Sequence, residues 1–292
     1  MTHRRLTAVP KRLAWRSAAG FTLVEIAVVI TLMAIFATMG LRLLQATRDS
    51  AAWTETKTKQ ERIKLALVGY LRSNGTLPCP DATAVGTAPT GFKGTPPCLG
   101  ALGSGVVPWK DLGLSVADVQ DGWSNFFTYR VANRTPVTSS NWTTKLLAQN
   151  AFSINELTVP LATFSLKERD AAGVLSATAL SPNPVVVLVS HGKNGSGART
   201  LGGSRLAAPT GADEILNATV ASTDFISRVP TDVVGTGGLF DDLVAYMTPQ
   251  DLLQPLMAEG TLKGVCRAYC SLSEANCVPT TIPIGVTPLA CP

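Results

Sequence analysis

Three groups of residues in this 292-residue chain are of types that do chemistry. The first is Ser190-His191-Gly192-Lys193-Asn194-Gly195-Ser196-Gly197, which sets a hydroxyl beside an imidazole and follows them with a glycine-rich loop. Adjacent side chains on a strand point to opposite faces, which argues against Ser190 and His191 as a nucleophile–base pair. The glycines lack phosphate-loop spacing, and no Lys-Ser/Thr follows the last of them. The stretch reads as a tight turn of Gly and Asn, and no catalytic residue is assigned. The second group is six cysteines: Cys79, Cys98, Cys266, Cys270, Cys277 and Cys291. An even count behind an N-terminal export segment reads as disulfides made in an oxidising compartment. Zinc is the competing reading, started by Cys266-x3-Cys270, but no histidine lies nearby and the body has only His191. The third is Glu25, a single carboxylate inside an apolar run from Phe21 to Leu41. Asp at the centre of a membrane helix costs roughly 2.5–3.5 kcal/mol, so Glu25 calls for a partner.

The charge map limits what those partners are. The formal net charge is +5, and Arg4, Arg5, Lys11, Arg12 and Arg16 stand in the first twenty residues without an acid. Residues 21–292 therefore sum to zero, and no Lys/Arg cluster on the body offers a nucleic-acid footprint. Hydrophobic residues make up 46% and charged residues 15%, a balance that fits a packed core.

These residues must be positioned by a few elements. Residues 1–20 form a polar, basic leader. Residues 21–44 read as a membrane or fibre-core helix, and the apolar run 21–41 spans roughly 30 Å at 1.5 Å per residue, one bilayer core. Basic residues on the N-terminal side predict a leader that stays cytoplasmic and a body on the far side of the membrane. A cleaved signal peptide would carry its small residues after the apolar run; here Ala18-Ala19-Gly20 precede it. No proline occurs between Pro10 and Pro78, and Ile63, Leu67 and Leu71 recur at helical spacing. The helix is expected to continue through 45–75 and stop at Ser73-Asn74-Gly75. Residues 76–248 form the globular part. Pro78–Pro108 reads as a loop stapled by Cys79 and Cys98, Phe126–Val131 as a strand after a turn at Asp121–Asn125, Pro184–Ser190 as a buried strand, and Leu239–Met247 as the last strand. Residues 249–292 read as a disulfide-stapled tail without a long periodic run. Three pairings are open to its four cysteines.

Gly20-Phe21-Thr22-Leu23-Val24-Glu25 resembles the prepilin-peptidase signature of type IV pilins and type II secretion pseudopilins: Gly, an apolar aromatic residue, then Glu at the fifth mature position. The resemblance implies cleavage between Gly20 and Phe21, N-methylation of Phe21, and pairing of Glu25 with the new amine of a neighbouring subunit. Many relatives carry a helix-breaking proline midway through this helix; this chain has Gly40 there. Asp121-Gly122-Trp123-Ser124-Asn125 resembles a pseudopilin turn with Ser124 where Gly is usual. Ser190–Gly195 resembles the strand end that leads major pseudopilins into a calcium loop, with Ala212–Asn217 similar to its acidic stretch and a basic insertion, Arg199–Arg205, between them. That resemblance implies Ca²⁺ ligands among Asp213, Glu214, Asn217 and Asp224. The alternative is that Asp213 and Glu214 open a helical turn, where acids suit the N-terminal dipole. Asp241 and Asp242 either face solvent, or one of them closes the calcium loop.

The expected fold is α+β: a pilin-like long N-terminal helix packed on an antiparallel sheet, with a stapled loop and tail. The expected function is structural, that of a single-pass inner-membrane subunit with a periplasmic body, assembled into a fibre with other pilin-like subunits after cleavage by prepilin peptidase. A minor pilin acting as a binding module through residues 78–108 or 249–292 is the first alternative. A membrane-anchored enzyme is the second.

Overall fold

The absence of proline for sixty-seven residues and a reciprocal cap at Thr22 let one long helix form. A computed structural model describes residues 22–98, 103–132, 142–143, 164–169, 173–176, 184–231 and 237–259. The leader with Gly20 and Phe21, and the four tail cysteines, Cys266, Cys270, Cys277 and Cys291, lie outside them. Helix α1 covers Leu23–Asn74, 52 residues. It ends where Gly75 adopts φ 73° and donates its N–H to the Leu71 carbonyl at 2.8 Å, a left-handed cap that suits glycine. The chain divides into two units, residues 1–48 and 49–292. In the first, Leu23, Val24, Ile30, Met33 and Phe36 are all exposed. Among the described residues no helix is long and apolar enough to cross a membrane.

The second unit is built on an antiparallel sheet ordered β1 (Ser104–Val106), β2 (Thr128–Val131), β4 (Val186–Ser190) and β6 (Leu243–Met247). A parallel pair, β3 (Ser165–Lys167) and β5 (Asp224–Ile226), stands beside it. Ile63, Leu67 and Leu71 on α1 are fully buried, and each such side chain contributes roughly 1.5–3 kcal/mol. Two polar residues on the same part of α1 are buried as well. Gln60 donates to the Leu243 carbonyl at 3.1 Å, and the Thr56 hydroxyl accepts the Gly122 N–H at 2.9 Å. Arg130 is buried too, donating to the carbonyls of Thr219 and Ser222 at 2.9 and 2.8 Å with its guanidinium over Phe164 and Phe225. That tie and the burial of Leu166 and Phe225 set the β3–β5 pair against the main sheet. Every residue of β4 is therefore buried, which matches its continuous apolar sequence.

Several boundaries differ from those read in the sequence. The strand expected over 126–131 begins at Thr128, because Phe126 is diverted into isolated bridges to Gln120 and Arg199. The last strand begins at Leu243 rather than Leu239. The residues given to the tail start as a helix, α3 (Pro249–Ala258), following α2 (Ala212–Ala218). Leu252, Leu253 and Leu256 of α3 are fully buried in the core, so these ten residues belong to the body. The 78–108 stretch contains β1 as well as loop.

Cys79 and Cys98 are bonded to each other, and both are buried. On a chain-entropy argument, closing a ring of this length constrains the unfolded chain by about 3 kcal/mol. Replacing both by Ser is expected to remove about that much, read as a lower urea midpoint with a somewhat steeper slope as the released unfolded chain expands. A double variant that unfolds with the wild type would show the ring to be energetically idle.

Candidate functional site

The register of β4 against β6 fixes where the acidic residues meet. Ser190 pairs with Leu243, so the chain leaving β4 runs alongside the chain approaching β6. Gly192 makes that approach possible. Its φ is +59°, and a Cβ there would lie 2.1 Å from the Asp241 carbonyl oxygen and 2.5 Å from Asp241 Oδ1. Asn194 then donates its N–H to Asp241 Oδ2 at 2.7 Å and its side-chain amide to Glu214 Oε1 at 3.0 Å. Glu214 Oε1 also accepts the Asp241 N–H at 3.1 Å. Glu214 and Asn217 lie three apart on α2, and Asn217 Nδ2 donates to Asp242 Oδ2 at 2.9 Å.

Carboxylate oxygens of Glu214, Asp241 and Asp242 all lie within 4.8 Å of one another. Among the described residues none of the three forms a salt bridge with Lys or Arg. Asp241 Oδ1 and Asp242 Oδ1 are buried without a hydrogen-bond partner. Burial, with the neighbouring acids added, pushes Asp241 up to about 6 and Asp242 well above the usual carboxylate range. His191 borders the group. Its Nε2 lies 2.9 Å from Thr128 Oγ1, and its Nδ1, 3.7 Å from Asp242 Oδ1, has no hydrogen-bond partner. Burial, with Arg205 as a lesser cause, lowers its pKa to about 4. Asp242 also lines a cavity of about 720 Å³ between α1 and β6, bordered by Lys57, Lys64 and Arg228.

The structure sorts the four residues implied by resemblance. Glu214 points into the group and Asn217 supports it. Asp213, fully buried, is instead gripped by Arg169 (Nη2 at 2.6 Å, Nε at 2.7 Å) and by Arg228 Nε at 2.8 Å. Asp224 accepts from Lys167 Nζ at 2.7 Å across the β3–β5 pair. Neither joins the acidic group. Asp241 and Asp242, whose place the sequence leaves open, take theirs. The fit to a divalent cation is good. Three carboxylates, two with orphaned buried oxygens, present hard oxygen donors without a resident counter-charge. Ser190 and His191 diverge: Ser190 Oγ donates to Asp121 Oδ2 at 2.7 Å, away from the imidazole's Thr128 contact.

At the other end of the chain, Glu25 closes a reciprocal cap. Its carboxylate accepts the Thr22 N–H at 2.9 Å and the Thr22 hydroxyl at 3.0 Å, while Thr22 Oγ1 accepts the Glu25 N–H at 3.2 Å. Thr22 is thus the N-cap and Glu25 the third helical residue of a capping box. The carboxylate is aimed at the N-terminal end of α1, one residue from Phe21.

Residues 15–41 match the prokaryotic N-terminal methylation motif, the signature of prepilin-type cleavage in type IV pilins and pseudopilins. No curated protein and no solved structure matches the chain at a significant level.

Proposed function

We propose, from the methylation motif that this chain carries, that it is a pilin-like fibre subunit, a type II secretion pseudopilin or a minor type IV pilin. Prepilin peptidase cuts between Gly20 and Phe21, and the new Phe21 amine is methylated. Residues 21–44 hold the subunit in the inner membrane, leader cytoplasmic and body periplasmic, until it is drawn into a fibre. The role is structural rather than catalytic. The observation that carries this reading is the match over residues 15–41, which spans the basic leader end, the cleavage pair and the apolar helix. Mass spectrometry of the N-terminus tests it. With prepilin peptidase co-expressed, the wild-type chain is expected to start at methylated Phe21, and Gly20→Val to retain its leader. A wild-type chain that keeps residues 1–20 under those conditions refutes the proposal.

A second reading rests on the orphaned oxygens of Asp241 and Asp242: the acidic group holds a divalent cation, with Ca²⁺ the natural choice for oxygen ligands. The ion would supply positive charge and tie α2, the 190–195 turn and the start of β6 together. A saturating cation, at about a hundred times its dissociation constant, would stabilise the fold by about 2.7 kcal/mol. Melting midpoints should rise with Ca²⁺ and fall again with EDTA; an unchanged midpoint refutes this reading.

A further inference from the structure

The basic hairpin at Arg199–Arg205 sets two like charges face to face. Arg199 and Arg205 pair across it in an isolated antiparallel bridge. Two backbone hydrogen bonds flank that pair, from the Leu206 N–H to the Ala198 carbonyl and from the Thr200 N–H to the Ser204 carbonyl, each at 2.9 Å. The arginines are therefore a non-hydrogen-bonded pair, the kind whose side chains share one face and come closest. Like charges so placed are destabilising. Both line a cavity of about 210 Å³. Arg199 is 8% exposed. Its Nη atoms donate to the carbonyls of Thr83, Ala84, Thr87 and Gly203, and its Nε is buried without a partner. Arg205 is exposed, and among the described residues its guanidinium has no acidic partner and no hydrogen bond. Asp81 lies near enough to favour the Arg199 cation, but its two oxygens are already taken by Thr83, Thr90 and Gly91. Two guanidinium charges thus face one carboxylate, and an excess positive charge is left at the cavity.

Much of the remaining lining is apolar. Val106, Phe126 and Phe127 supply buried walls, and Ser104 a hydroxyl. The planar guanidinium fork matches the two oxygens of a carboxylate, and apolar walls take a short carbon body behind it. A single excess charge suits a monoanion better than a phosphate, which is nearly doubly charged. We propose that this cavity is a binding site for a small apolar monocarboxylate, held by the Arg205 fork and the Arg199 Nε–H. The acid is either a free short-chain acid or the C-terminus of a peptide, which present the same group. Glu214, Asp241 and Asp242 do not line the cavity, so the site is separate from the cation reading.

The test uses the full chain in detergent at constant ionic strength, with affinities read by ligand-observed NMR. The probes are butyrate, its neutral isostere butyramide, inorganic phosphate, and an alanyl-alanyl-valine peptide with a free C-terminus. Butyrate is expected to bind with a dissociation constant on the order of 1 mM, and butyramide and phosphate at least about tenfold more weakly. Arg205→Gln is expected to weaken butyrate at least about tenfold. Because that variant relieves a like-charge pair, it should melt no lower than wild type. The peptide separates the two sources: tighter binding than butyrate supports a chain terminus as the ligand, and weaker binding supports a free acid. Butyramide or phosphate bound as well as butyrate, unchanged butyrate affinity in Arg205→Gln, or no binding of either carboxylate overturns the site. The comparison of butyrate with butyramide is made on wild type, so it decides even if Arg205→Gln does not fold.

Discussion

A Glu25→Ala chain is expected to lose its leader normally and yet to fail to enter the fibre. Cleavage depends on the Gly20–Phe21 bond, which the substitution leaves alone. Assembly is a different matter. An apolar helix bundle tolerates a carboxylate only when a cation neutralises it, and removing one member of such a buried pair typically costs about 3–5 kcal/mol. That corresponds to roughly 10²- to 10⁴-fold per subunit contact. The alanine variant alone is ambiguous, because Glu25 also caps its own helix through Thr22. Glu25→Gln separates the two roles. Its amide oxygen still accepts from Thr22, as Gln does in a capping box, but the charge is gone. Subunits carrying Glu25→Gln, expressed beside wild type and scored in sheared fibres, are expected to be excluded as fully as those carrying Glu25→Ala. Normal incorporation of the Gln variant would mean that Glu25 serves as a cap and that the amine pairing is wrong.

The second large effect comes from one methyl group. Gly122 lies so close to α1 that a Cβ would stand 2.4 Å from the Ala52 carbonyl oxygen and 2.5 Å from Ala52 Cα. Both obstacles are helix backbone, which cannot turn aside as a side chain can. Gly122→Ala must lift the Asp121–Asn125 turn off the helix, breaking the Thr56 hydrogen bond and the edge-on Trp53–Trp123 contact at 5.5 Å. A loss of about 2–4 kcal/mol is expected in urea unfolding. Gly69 offers a control of opposite sign. It lies inside α1 with nothing within 4 Å of its added Cβ, so Gly69→Ala should gain up to about 1 kcal/mol from helix propensity. If Gly122→Ala unfolds within about 0.5 kcal/mol of wild type, the turn is not docked as described.

The long helix was legible because period and punctuation agreed: apolar residues at i, i+4, i+8, no proline, and a glycine at the stop. Strand β4 was legible because five consecutive buried positions leave a bare apolar run. Ser124 could be flagged by its resemblance to a glycine position, and its φ of 68° gives the reason, since the turn demands a left-handed residue. Helix α3 escaped notice because Pro249 and Pro255 look like breakers. Pro249, however, occupies the first helical position, where proline is tolerated, and the leucines at 252, 253 and 256 form its buried stripe. Strands β1 and β3 have three residues each, too short to carry a period.

The acidic site was legible only in its ingredients. Asp213 and Glu214 are neighbours in sequence, but successive helical residues point about 100° apart. One therefore meets two arginines and the other the acidic group. Asp241 and Asp242 reach that group through the β4–β6 register, a long-range fact that no local spacing encodes.

The buried polar residues of α1 also bear on how the body resists a pull on its helix. A helix pulled along its axis must shear Gln60 from the Leu243 carbonyl and Thr56 from the Gly122 amide together, and drag Ala52 past a glycine with no clearance. These grips engage the turn at 121–125 and the edge strand β6, so tension on the helix enters the sheet at two separated points. Apolar packing alone therefore does not have to resist such a slide.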